Sequence, residues 1–420
     1  MRRYLCLAAA FALCAALVFG CAGKQTPASG DAGAGGEPEK VTLKVWVPEN
    51  QVTTGTIERM QRQFAEKNPQ WDITFTTEIQ GEDTAMTEVT KDVSNAADVF
   101  FFANDQIGTL VNAGALARLG GVTESMVKNT MPQTVVDTAT VDGSLYGIPF
   151  THNTFFMFYD KTLFDESDIT SLEKIMAKRL PEGVYNFQFD PAGGWKGGAF
   201  YYGAGLTIYG ADGVTFKDGC NWNNALGLSV TNYLIDLLNN PWCVHAEDAP
   251  TSELISDGRL GAWWDGSWNY PTYKEILGEN LGLAILPTFN PDGTDRQLRS
   301  FYGSKVIGVN ALAKFPQVAV AFAAFIGDED MQVLRFVETQ QVPTNQQAGA
   351  SSAVQTDEVA AVIVQQAAKA SVMQPISANF NERYWANAGA LFGEIYSGVL
   401  TKDNAQERLD TFVETLKVDE

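Results

Sequence analysis

Residues 41–105 read VTLKVWVPEN QVTTGTIERM QRQFAEKNPQ WDITFTTEIQ GEDTAMTEVT KDVSNAADVF FFAND. Val41 to Val47 is rich in β-branched and aromatic residues and stops at Pro48. A helical period follows through Ile57, Met60 and Phe64 and ends at Asn68-Pro69. Trp71 to Thr77 is a second strand, and a polar helix from about Glu82 to Ser94 leads into Asp98-Val99-Phe100-Phe101-Phe102. That last run has no polar alternation, as expected of a strand buried on both faces of a parallel sheet. The order β-α-β-α-β predicts an α/β domain whose ligands sit beyond the carboxyl ends of the strands. Glu49 and Asn50, just past the first strand, stand where they reach such a ligand.

Upstream, Arg2 and Arg3 precede an apolar run from Leu5 to Phe19, too short to span a bilayer and of the length of a secretion signal. Val18-Phe19-Gly20-Cys21 closes it. A small residue before a cysteine at that point resembles a bacterial lipobox, which implies cleavage after residue 20 and a diacylglycerol on Cys21. Residues 21–40 are mostly Gly, Ala, Ser, Pro, Thr and Glu and read as a flexible tether that cannot bury enough surface to order itself. The formal charge is -21, and loss of Arg2 and Arg3 makes it two units more negative. Such a chain repels nucleic-acid phosphates and anionic headgroups. No nucleic-acid partner, metal or cofactor is expected, and the chain is expected to be a monomer.

Of the five cysteines, Cys6 and Cys14 leave with the signal, which leaves Cys220 and Cys243 besides Cys21. They bracket a helix expected from about Trp222 to Asn239, whose ends lie ~25 Å apart at ~1.5 Å per residue. A bridge needs Cα atoms within ~7 Å. The two form a disulfide only if the chain doubles back, and otherwise pack as buried thiols.

Downstream the pattern changes. Asp142-Gly143 marks a hairpin, Tyr146 to Phe150 and Thr154 to Tyr159 read as strands, and Leu260 to Trp264, Leu281 to Leu286 and Lys305 to Asn310 as further strands. Helices are expected at about Pro316 to Ile326, Asp330 to Gln340, and in the stretch from Glu358 to Leu416. The runs Ala97 to Gly108, Gly147-Ile148-Pro149-Phe150, Phe158-Tyr159-Asp160-Lys161, Asp257-Gly258-Arg259 with Asp265-Gly266-Ser267-Trp268, Leu286-Pro287-Thr288 and Tyr384-Trp385 occur in order. In these the chain resembles the family 1 extracellular solute-binding proteins, of which the maltose/maltodextrin-binding proteins are the best known, over essentially Val41 to Lys417.

The resemblance implies a two-lobed α/β fold of the periplasmic-binding-protein type II class, with hinge crossings near Pro149, Phe301-Tyr302-Gly303 and residue 350, and a central ligand cleft. It places 41–150 and 304–350 in the N-lobe and 151–303 and 351–420 in the C-lobe. It also implies an oligosaccharide ligand and an ABC permease in the membrane as partner. The family's cleft aromatics fall on Phe102, Trp195, Trp268, Tyr270 and Trp385, and its polar clamp on Asp105, Gln106 and Asn153. Two positions depart from the family. Gln106 stands where maltose-binding relatives often carry an arginine, and Asn153 where several carry a glutamate, so the sugar and its linkage are left open.

A sugar ring needs flat platforms for its C–H face and planar polar groups for its hydroxyls, and these residue types supply both. Trp268 on a loop and Trp195 among four glycines, Gly193, Gly194, Gly197 and Gly198, favour the cleft, whereas Trp385 in a helix and Asp105 at a helix start have plain structural readings as core and N-cap. Trp46, Trp71, Trp222, Trp242 and Trp263 are assigned to core. The chain has no G-x-S-x-G, H-E-x-x-H or Walker loop, and its only histidines are His152 and His245. A binding protein is therefore expected rather than an enzyme such as a glycoside hydrolase. A peptide or polyamine cargo is the rival, though a polyamine needs several carboxylates and the clamp named above has one.

Overall fold

Continuous apolar runs become the inner strands of two sheets. The structure is a computed structural model and describes residues 37–191 and 193–418. The signal stretch, Cys21 and the tether up to residue 36 lie outside the described residues. The account below concerns the body Glu39–Glu420.

Val99–Ala103 is buried at every position. It pairs in parallel with Glu39–Val47, which pairs in parallel with Trp71–Ile79. On its other side the long strand Ser300–Val309 runs antiparallel, and Ile148–Asn153 pairs antiparallel with that strand in turn. The core of this first lobe joins Leu43, Val45 and Phe100 to the helices Thr56–Lys67 and Pro316–Ile326. Ile57, Met60 and Phe64 are the buried face of the first of these, as their spacing predicts.

The second sheet runs Leu281–Ala284, Phe155–Asp160, Leu260–Gly266, Tyr185–Phe189, Cys243–His245. Its first two pairings are antiparallel and its last two parallel. Both faces are covered, and alternation decides which side chain goes where. Phe155, Met157 and Trp264 enter one core, while Phe156, Phe158 and Trp263 enter another.

The chain passes between the sheets at Thr154. It passes again along Ser300–Val309, whose first residues pair with Ser371–Met373. A hydroxyl cluster ties these crossings: Ser300 Oγ lies 2.8 Å from Thr154 Oγ1 and 3.1 Å from Ser371 Oγ, and accepts from Gln366 Nε2 at 2.9 Å. The Asp142-Gly143 turn has φ of 48° and 73°, the positive values that a two-residue hairpin of this type demands.

Several expectations shift. The first strand starts at Glu39, inside the stretch assigned to the tether, because Glu39 N donates to Gln70 O and the residue pairs with Trp71. The polar helix shrinks to Ala85–Lys91. The helix expected from Trp222 runs Ala225–Leu238, with the Asn224 side chain accepting from Leu226 N and Gly227 N as its N-cap. Trp222 and Trp263 are core, Trp46 and Trp71 pack half-buried at its edge, but Trp242 is 47% exposed. It sits in a turn whose backbone is held by the Asn240 side chain, outside any packed face. Cys220 and Cys243 are both buried free thiols, and burial pushes each up to about 12.

Candidate ligand-binding site

Three turns at the carboxyl ends of the parallel strands face one cavity of about 1060 Å³. They carry Glu49 and Asn50 after the first strand, Glu82 and Asp83 after the second, and Asp105 and Gln106 after the third. Trp195 and Trp268 face them from the second lobe, with Asn153 and Lys305 on the crossing strands and Trp385 on the helix Ala378–Tyr396. The structure thus brings Glu49, Asn50, Asp105, Gln106, Asn153, Trp195, Trp268 and Trp385 to one wall or another of the same space.

Trp195 and Trp268 are stacked, with ring centroids 5.8 Å apart and planes 24° off parallel. Trp268 follows the strand Leu260–Gly266 in a single 3₁₀ turn, and its ring folds back over Gly266, where any Cβ would run into it. Only glycine permits that platform. Trp195 is braced from the side by Phe155, edge to face at 4.8 Å.

Asp105 Oδ2 accepts from Asn381 Nδ2 and Trp385 Nε1, each at 3.0 Å. The carboxylate therefore ties the turn after Val99–Ala103 to the helix Ala378–Tyr396 and fixes the Trp385 ring. Burial pushes this acid from an ordinary 3.8 up to about 6, against the pull of its own backbone amide, Trp385, Lys305 and Asn381. Gln106 lines the cavity but has no free amide. Its Oε1 accepts from Met86 N at 2.9 Å, and its Nε2 donates to Glu82 O and Asp83 O at 2.8 Å. Its work is to hold the loop that presents Glu82. His152 also lines the cavity, with Nδ1 2.7 Å from the Tyr302 hydroxyl. Desolvation pushes it down to about 4, so it is neutral at pH 7.

Two named residues stand elsewhere. Phe102 is fully buried in the first lobe, 5.8 Å from Phe100 in ring centroids, because both faces of its strand are covered. Tyr270 packs in the core with Phe158 and Trp263, and its hydroxyl donates to Glu358 Oε1 at 2.7 Å. It begins the helix after Trp268, and that helix turns it inward.

Sequence reasoning missed Glu82, Lys305, Gln374 and Asn381. Glu82 follows a strand end as Glu49 does, so the same rule finds it. Lys305 is a lone charge in an apolar strand, which is a signal in itself. Its Nζ pairs with Glu82 Oε2 at 3.0 Å and stands over the Trp268 ring, 5.4 Å from the centroid. Of the described residues that line the cavity, Glu82, Asn50 and Gln374 have side-chain oxygens, Oε1, Oδ1 and Oε1, buried without a partner. All three are acceptors. A cavity with stacked platforms and unfilled acceptors suits a ligand with flat apolar faces and many donors, such as a polyol ring.

Residues 59–361 match the family described as bacterial extracellular solute-binding protein. Among curated proteins the chain is 26% identical to the galactooligosaccharide-binding protein of Bacillus subtilis, over 76% of each chain. It is 25% identical to the maltodextrin-binding protein MdxE of the same organism, over 77% of this chain and 78% of that one. Among solved structures, one determined with acarbose superposes with a TM-score of 0.84 at 38% identity, covering 90% of this chain and 98% of its own. The ligand-free maltodextrin binding protein MalE1 from L. casei BL23 gives 0.79 at 27%, covering 90% and 99%. The matched span takes in the strands, crossings and turns that build most of the cavity, and the chain belongs to the bacterial extracellular solute-binding protein family.

Proposed function

We propose that this chain is the substrate-binding lipoprotein of an ABC importer, capturing an oligosaccharide of the maltodextrin type and delivering it to the membrane permease. The observation that carries the reading is the stacked Trp195–Trp268 pair facing a rim of amides and carboxylates across a cavity between two sheets. The aromatic faces take the C–H faces of sugar rings and the rim takes their hydroxyls. The names of the relatives and the acarbose-bound structure support a glycan of that class.

The lobes are proposed to divide as 41–150 with 304–350 and 151–303 with 351–420, hinging at the crossings. Ligand contacts from both lobes favour the closed state, which the permease reads. A near-complete switch from a minor closed state needs a differential affinity on the order of 5 kcal/mol. Cys21 is proposed to carry the lipid that holds the protein at the outer face of the cell membrane, and the chain to act as a monomer without chemistry on its cargo.

One observation favours a second reading. The cavity is lined by five carboxylates, Glu49, Glu82, Asp83, Asp105 and Glu382, against one ammonium, Lys305. A polyamine is the ligand those charges would suit. Titration of the body from residue 37 onward with maltodextrins and with spermidine separates the two. Saturable tryptophan quenching by an unaltered glycan supports the first, a response to spermidine alone the second, and hydrolysis of the glycan would make the chain an enzyme.

A further inference from the structure

Lys305 and Glu82 lie 223 residues apart and meet at the Trp268 ring. Their side chains are 14% and 10% exposed, so the pair is nearly desolvated. One carboxylate oxygen, Oε2, is taken by the ammonium, and the other, Oε1, is buried with no partner among the described residues. The ammonium has three N–H donors, and among the described residues Glu82 is the one side chain it is bonded to. A bare acceptor and spare donors thus stand side by side next to an aromatic platform. Asp105 is near enough that the same ammonium pulls its acid strength.

We propose that Lys305 and Glu82 are specificity-determining residues that read an unsubstituted vicinal diol on the sugar ring at Trp268. This rests on the oligosaccharide reading and names which ring chemistry the site demands. A hydroxyl both donates and accepts. One hydroxyl of the diol donates to Glu82 Oε1, which fills the buried acceptor. Its neighbour accepts from Lys305 Nζ, which leaves the place over Trp268 as the ring takes it while keeping its bond to Glu82. A 1,4-linked hexose presents that diol at its second and third carbons. A hexose substituted at its third carbon, as within a 1,3-linked chain, has one of the two hydroxyls tied up in the linkage and cannot serve Glu82 Oε1 and Lys305 Nζ together. Losing a hydrogen bond to a charged partner in such a site weakens binding on the order of 10- to 100-fold.

The test is calorimetric titration of the mature chain and of Lys305→Met, Glu82→Gln and Lys305→Arg with 1,4-linked maltotetraose and 1,3-linked nigerotetraose, with a melting curve for each variant. The proposal expects the wild type to prefer maltotetraose by at least about 10-fold. Lys305→Met and Glu82→Gln bring the two affinities together by weakening the 1,4-linked ligand, and Lys305→Arg, which keeps charge and donors, retains the preference. Equal losses for both ligands in folded Lys305→Met would show a merely structural role and overturn it. So would equal binding of both ligands by the wild type, a result that leaves the oligosaccharide reading standing. Binding of neither, nor of any other glycan, would sink both. If Lys305→Met does not fold, Lys305→Arg and Glu82→Gln decide between the same outcomes.

Discussion

Burial shifts two titratable residues of the cavity, Asp105 and His152, in opposite directions. The folded chain pushes the Asp105 acid from 3.8 up to about 6, so between those values the native state holds a proton that the unfolded chain has released. Its contribution to stability therefore falls as pH rises from about 4 to about 6. His152 does the reverse. It is pushed from 6.5 down to about 4, so the unfolded chain holds the extra proton and stability rises with pH through that window. The two oppose each other in the wild type. Asp105→Asn removes one, and its melting temperature is expected to climb more steeply from pH 4 to 6.5 than that of the wild type in parallel melts. At the aromatic platform, Trp268→Ala is expected to weaken glycan binding about 30-fold, the ~2 kcal/mol of a hot-spot truncation. Gly266→Ala, whose methyl group would run into the Trp268 ring, is expected to weaken binding in the same direction without touching the ligand. Isothermal titration of the two variants measures both effects.

At the scale of elements, the helix Ala225–Leu238 stands between Cys220 and Cys243 and keeps both thiols in the core. Ellman's reagent is expected to find no reactive thiol in the native body from residue 37 and two after denaturation. Two reactive thiols before unfolding would contradict the packing. Elements were legible in the sequence where period and burial agree. Ile57, Met60 and Phe64 define one helix face, and the helix Pro316–Ile326 has the expected limits. The site was legible where a turn follows a strand end, as at Glu49, Asp105 and Trp268. It was not legible where tertiary pairing decides. Phe102 lies in a run whose residues are all apolar, so nothing in its alternation tells cleft from core. Tyr270 is turned inward by a helix that begins only after Trp268. Gln106 reads in sequence as an amide open to a ligand, but the loop Glu82–Met86 takes its oxygen and both its N–H groups. Glu82 and Lys305 meet only because the strand Ser300–Val309 returns beside Val99–Ala103.

The whole molecule joins two sheets through crossings tied by the hydroxyls of Thr154, Ser300 and Ser371. Lys305 on the first sheet reaches Trp268 beyond the second, and Asp105 reaches Trp385. Both contacts form across the cavity that the ligand is proposed to fill, so ligand binding and lobe closure act on the same residues. A ligand that engages both sides is expected to reduce the radius of gyration in small-angle scattering, and Trp268→Ala is expected to blunt that change at equal saturation. The central claim, capture of an oligosaccharide between the lobes, is tested most directly by following the melting temperature and tryptophan fluorescence of the body against maltodextrin concentration. A ligand bound only by the native state stabilises it by RT ln(1 + [L]/Kd). The account predicts saturable quenching, a melting temperature that keeps rising with the logarithm of ligand concentration, and a sugar recovered unchanged. Flat titrations with every glycan, alongside a clear response to spermidine, would contradict it.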